Sequence, residues 1–302
     1  MPHITANGLE LFYDENGDRD KETILLVMGL GAQMTLWPDE FVEALVGEGY
    51  HVVRYDNRDI GLSHKFEGAK APGLKMQVLR KMIRLPAKVP YSLKDMADDG
   101  MALLSALGID RAHVVGASMG GMIAQLMAVN HGDRLHSLTS IMSSTGNPRL
   151  PQADKVAMDA LTAPIPSMEE EALIQHGLHI ARSIGSPGFP FDEQRQRERI
   201  LTNMRRSVYP AGMQRQLAAI IDDGDRRERL ARVNVPTLVL HGEADPLVKP
   251  AAGKDTADHI PGAKLVTFPG WGHDIPAELI RPLADEITAH AKAASAPKPV
   301  AA

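Results

Sequence analysis

Ser118, Asp245 and His273 are the residues of this 302-residue chain whose types and settings could together do nucleophilic chemistry. A serine hydroxyl is a weak nucleophile at neutral pH and needs a base; a histidine base needs an acid to fix its tautomer and orientation. Ser118 lies in Gly116-Ala117-Ser118-Met119-Gly120, between a strand pattern, Ala112–Val115, and a helix pattern, Met119–Asn130. A sharp strand-to-helix turn exposes the hydroxyl and holds the serine in strained backbone geometry. Gly116 and Gly120 remove the side chains that would collide there. A bare G-x-S-x-G match is weak, and Ser118 could simply cap the helix, so the flanking elements carry the assignment. Of twelve histidines, His273 lies in Phe268-Pro269-Gly270-Trp271-Gly272-His273-Asp274, after a strand pattern and before the last helix. His241, which ends a strand, is its nearest rival. Asp245 follows the strand Thr237–Leu240 and falls between serine and histidine in the chain. Glu243 and Asp274 are alternative acids, but Asp274 is badly placed to reach the ring of its own neighbour.

Acyl transfer also needs two backbone donors for the oxyanion that develops on the carbonyl. The N–H of Met119, the residue after the nucleophile, is one expected donor. The other is Leu30, in the glycine loop Met28-Gly29-Leu30-Gly31 that follows the strand Ile24–Val27.

The elements needed to position these groups alternate along the chain. Residues 3–14 alternate around Asn7-Gly8, a hairpin signal. Strands are expected at Ile24–Val27, His51–Tyr55, Ala112–Val115, Leu135–Met142, Thr237–Leu240 and Lys264–Phe268. Helices are expected at Pro38–Glu48, from Ser92 (with Asp95 as capping-box partner) to Gly108, at Met119–Asn130, around Ala251–His259, and through a last helix with Leu279, Leu283 and Ile287 on one face. Such alternation implies an α/β fold with a mostly parallel, doubly wound sheet. From Ser143 to Arg232 the rhythm breaks into proline-punctuated helical stretches, which implies an inserted helical cap. The expected organisation is a core of residues 1–142 and 233–292, a cap at 143–232 and a disordered tail at 293–302. Met158, Leu161, Leu173, Ile174, Leu178 and Ile180 should mostly form the cap's own core, and Asp192–Arg206 a solvated helix face.

Composition narrows the classes. The formal net charge is -5, with no basic stripe, so nucleic acid is not an expected partner. The chain has no cysteine, which removes disulfides, cysteine nucleophiles and thiolate metal sites. No run of 18 apolar residues and no signal-peptide pattern is present, so a cytoplasmic protein without membrane contact is the expectation. No metal-ligand cluster and no cofactor motif stand out.

Leu25-Leu26-Val27-Met28-Gly29, Trp37-Pro38-Asp39-Glu40-Phe41, Val53-Arg54-Tyr55-Asp56-Asn57-Arg58-Asp59 and Arg111-Ala112-His113-Val114-Val115-Gly116-Ala117-Ser118-Met119-Gly120 resemble the α/β-hydrolase superfamily, and within it the aclacinomycin methylesterase type of carboxylesterase. The order serine, aspartate, histidine is also that of α/β hydrolases. The likeness covers residues 4–142 and 233–290. It implies the α/β-hydrolase fold and hydrolysis of a small-molecule carboxylic ester through an acyl-enzyme, without metal or organic cofactor. Bulky natural-product esters and macrocyclic lactones fall within that expectation. Met28 stands where many relatives carry histidine. Asp56, Arg58 and Gly61 resemble the family's D-x-R-x-x-G turn; Arg58 could bind a substrate carboxylate, but an ion pair holding the turn is the expected role. A lactonase or a C–C bond hydrolase would use the same residues, and a non-catalytic ligand-binding member of the fold is the alternative from another class.

Overall fold

Side chains that alternate between two apolar cores explain why the central strands lie in a sheet covered on both faces. In β3 (Thr23–Val27), Leu25 and Val27 enter one core and Ile24 and Leu26 the other. The computed structural model describes residues 2–73, 77 and 89–296. Its eight strands are β1 (His3–Ala6), β2 (Leu9–Asn16), β3, β4 (His51–Tyr55), β5 (Ala112–Ala117), β6 (Leu135–Ile141), β7 (Thr237–Gly242) and β8 (Lys264–Phe268), arranged β1-β2-β4-β3-β5-β6-β7-β8. β1 and β2 pair antiparallel, as do β2 and β4; every other pair is parallel. The β1–β2 hairpin turns on Asn7 and Gly8, both at positive φ, as its two-residue connection requires.

Helices α2 (Leu93–Ala106) and α3 (Met119–Asn130) cover one face, and α1 (Asp39–Gly47) and the last helix, α10 (Ala277–Ser295), cover the other, while α9 (Pro250–His259) joins β7 to β8. Ser92 accepts from the Asp95 N–H while Asp95 accepts from the Ser92 N–H, closing the expected capping box. Gly108, at φ +76°, lets the chain leave α2. α3 is buried almost all round because it lies between the sheet and its neighbours. α10 continues to Ser295, past Ala293 where the tail was expected to begin, since its Lys-Ala-Ala sequence favours helix. Residues 297–302 of that tail lie outside the described residues.

Between β6 and β7 the chain forms α4 (Lys155–Thr162), α5 (Glu170–Ile184), α6 (Glu193–Arg206), α7 (Pro210–Asp223) and α8 (Arg227–Leu230). Leu173, Ile174 and Leu178 are buried there, Leu161 and Ile180 are half-buried, and Met158 is exposed. The face expected to be solvated is only partly so. Arg206 of α6 turns inward, and its Nη2 donates to the fully buried Asp56 at 2.9 Å. Charge density in the sequence cannot show that a buried carboxylate waits on the facing loop. α7 is anchored more firmly still. Arg215 forms a bidentate pair with Asp59 at 2.7 and 2.8 Å, and both side chains are almost completely buried. No helix among the described residues is long and apolar enough to cross a membrane.

Candidate active site

The turn at Ser118 is built by what is missing from its neighbours. Ser118 adopts φ 56° and ψ −119°, a strained conformation for a residue with a side chain. A Cβ on Gly116 would lie 2.1 Å from the Gly120 carbonyl oxygen, and one on Gly120 would lie 2.0 Å from that of Val27. Both glycines are therefore sterically required for β5, β3 and α3 to meet. The strain is held by hydrogen bonds: the Ser118 N–H donates to Ile141 O at 2.9 Å, and Ser143 Oγ donates to Ser118 O at 2.7 Å.

Residues far apart in the chain converge on that serine. His273 Nε2 stands 3.0 Å from Ser118 Oγ, and His273 Nδ1 stands 2.7 Å from Asp245 Oδ2. Asp245 is 1% exposed and His273 8% exposed, so their pairing is shielded from water. The other carboxylate oxygen of Asp245 accepts from the N–H groups of Leu247 and Val248, both at 2.8 Å, which leaves Oδ2 aimed at the imidazole. The rival His241 sits beside the same aspartate, 3.6 Å away. Its Nε2 is 2.7 Å from the Val248 carbonyl, and burial pushes its pKa below the ordinary histidine range. It is a neutral buttress of the 245–248 turn, not a second partner of Ser118. Glu243 is exposed and accepts from Thr267 Oγ1. Asp274 accepts from Ser186 Oγ.

The loop after β3 passes over the nucleophile. A Cβ on Gly29 would lie 3.2 Å from Ser118 Cβ, tighter than an ordinary contact, so the loop runs close against the nucleophile. The loop is fixed from below, where Asn57 Nδ2 donates to Met28 O at 2.9 Å, and from the side, where the Gly31 N–H donates to Gln216 Oε1 at 2.9 Å. Gln216, fully buried on α7, donates in turn to Arg58 O at 2.9 Å. Sequence reasoning did not single out Gln216; nothing in its local pattern distinguishes it from a surface glutamine. Of the expected donors, Leu30 follows Gly29 in this loop and Met119 follows Ser118 at the start of α3.

Arg58 takes the structural role expected of it. It makes bidentate contacts to Asp99 on α2, both 2.6 Å, and stacks over Tyr91. A cleft of about 1010 Å³ opens between α6 and the starts of α1 and α10, lined by Arg195, Arg199, Phe12, Phe189 and Pro276 among others. Ser118, Leu30, Met119 and His273 do not line it. Gln33 closes off that side, donating to the carbonyls of Asn203 at 2.7 Å and Ser207 at 2.9 Å.

Comparisons with known proteins bear on the family and the fold. A family model described as serine aminopeptidase, S33, matches residues 18–280. Rhodomycin D methylesterase DauP of Streptomyces sp. (strain C5) is 30% identical over 97% of this chain and 98% of its own length. Among solved structures, the meta-cleavage product hydrolase CumD of Pseudomonas fluorescens IP01 superposes with a TM-score of 0.77 at 17% identity, covering 98% of each chain. The enol-lactonase of Burkholderia xenovorans LB400 superposes with a TM-score of 0.69 at 24% identity, over 96% of this chain and all of the other.

Proposed function

The chain belongs to the serine aminopeptidase, S33, family of α/β hydrolases, and from that membership we propose that it hydrolyses carboxylic esters with Ser118 as nucleophile, His273 as general base and acid, and Asp245 as the group that orients His273. The observation carrying this reading is the unbroken relay from Asp245 Oδ2 through His273 to Ser118 Oγ, with links of 2.7 and 3.0 Å. Ser118 Oγ attacks the ester carbonyl as its proton passes to His273 Nε2. The Leu30 and Met119 N–H groups hold the oxyanion of the tetrahedral intermediate. His273 returns the proton to the departing alkoxide, leaving an acyl-enzyme and a free alcohol. Water, deprotonated by His273, then attacks the acyl carbon, and His273 returns that proton to Ser118 Oγ as the acid leaves.

The likeness to a methylesterase makes a methyl ester of a bulky natural-product acid the first candidate substrate, with a macrocyclic lactone next. The inserted segment, residues 143–232, acts in this reading as a cap that selects among them, consistent with its placement after β6. A panel of a short nitrophenyl ester, a bulky polycyclic methyl ester and a macrocyclic lactone separates these substrates. Ser118→Ala should abolish turnover of every one of them. A fluorophosphonate should add its mass to the wild-type peptide that contains Ser118. Wild-type rates in the Ser118→Ala protein, or labelling at another residue, would remove the proposed nucleophile.

A further inference from the structure

The loop that carries His273 is not held by the sheet alone; the inserted segment grips it. The His273 N–H donates to Ile184 O at 2.7 Å, the Gly272 N–H to Ser186 Oγ at 2.9 Å, and the Gly188 N–H to Gly270 O at 2.9 Å. The two backbones touch. A Cβ on Gly188 would lie 2.6 Å from Gly270 Cα, and one on Gly272 would lie 2.3 Å from Gly185 O. Ser186 sits at the centre of this contact, because its hydroxyl accepts from Gly272 on one side of His273 and donates to the Asp274 carboxylate on the other. The Asp274 carbonyl also accepts from Trp271 Nε1 at 2.6 Å, which closes the loop on itself.

We propose that Ser186 and Asp274 are positioning residues for His273, with Ser186 fixing the loop on both sides of the base and Asp274 holding the Ser186 hydroxyl in place. The inference deepens the ester-hydrolase reading and rests on it. The groups facing Asp274 are Ser186 from the α5–α6 connection, Arg199 from α6, His273 beside it and Asp245 across the site. Burial pushes the Asp274 carboxyl up from the ordinary range, while the Ser186 hydroxyl, Arg199 and His273 act to lower it. Ser186→Ala removes the hydroxyl from both hydrogen bonds and Asp274→Asn replaces the carboxylate that accepts from it, so the two variants should act in the same direction.

The test is kcat and KM for a nitrophenyl ester, measured on wild type, Ser186→Ala, Ser186→Thr and Asp274→Asn. Ser186→Ala and Asp274→Asn should lose about tenfold in kcat with KM held within about twofold, because the loss falls on the transition state. Ser186→Thr, which keeps the hydroxyl, should restore most of kcat. Fluorophosphonate labelling of wild-type Ser118 separates the two levels of the claim. If wild type is not labelled, the ester-hydrolase reading fails, and this inference with it. If wild type is labelled but both variants keep its kcat, the positioning inference alone is overturned. Should Ser186→Ala fail to fold, Asp274→Asn and Ser186→Thr still decide the matter.

Discussion

At the residue scale, the most informative feature is a backbone angle. Ser118 keeps φ 56° and ψ −119° because its hydrogen bonds to Ile141 and Ser143 hold it there against its own side chain. Glycine tolerates that conformation far better. Ser118→Gly should therefore be more stable than Ser118→Ala by about 1 kcal/mol, the relief of strain outweighing the extra entropy of the unfolded glycine chain. Urea denaturation of the two variants checks this. Equal midpoints would show that the turn is not strained as its angles imply. Gly29, Gly116 and Gly120 carry no chemistry but decide whether Ser118 can be approached at all, since each lies against the backbone or Cβ of a neighbouring element.

At the element scale, the inserted segment does more than cover the sheet. α7 supplies Arg215 to Asp59 and Gln216 to Gly31 and Arg58, while the α5–α6 connection supplies Ser186 to the histidine loop. The turn at residues 56–61 is thereby held from two sides: Arg58 pairs inward with Asp99 on α2, and Asp59 pairs outward with Arg215 on α7. Breaking one partner of a buried pair leaves an uncompensated charge, so Arg215→Met should cost about 3 kcal/mol of stability. Adding Asp59→Asn should recover part of that loss, because the stranded charge is then removed. Chemical denaturation of the single and double variants measures both effects. A double variant no more stable than the single would mean that the packing of Arg215, not its charge, holds α7 in place.

At the scale of the whole molecule, the distribution of histidines sets a pH dependence unrelated to catalysis. His113 is buried on β5, where its Nδ1 is 2.8 Å from Ser137 Oγ, and burial depresses its pKa to about 4. Burial also lowers the pKa of His51, His136, His241 and His290. A histidine that binds its proton more weakly when folded contributes stability that is complete above the unfolded value of about 6.5 and is lost as pH falls toward the folded value. The fold should therefore weaken steadily between pH 6.5 and 4, with His113 contributing on the order of 3 kcal/mol of that loss. Comparing unfolding free energies of wild type and His113→Asn at pH 7.5, 6 and 4.5 tests the claim. The variant should show a shallower decline, and parallel curves would refute the role of His113.

Local physics left its mark on the sequence wherever a rule of short range was at work. The strand-to-helix glycines around Ser118, the capping box at Ser92, the Asn7-Gly8 hairpin and the alternation of strand and helix all follow from steric or hydrogen-bond requirements met within a few residues. The succession Ser118, Asp245, His273, each after a strand, was legible for the same reason: parallel strands bring their carboxyl ends to one edge whatever the residues between them do. The inward turn of Arg206, the clasp of Gln216 on the loop above Ser118 and the grip of Ser186 on the histidine loop were not legible. Each joins residues separated by 86 to 185 positions, through a side chain whose local surroundings read as solvent-facing helix or loop. Only the packing of the inserted helices against the sheet decides which of those polar groups is buried, and a buried polar group must take whatever partner the facing element offers.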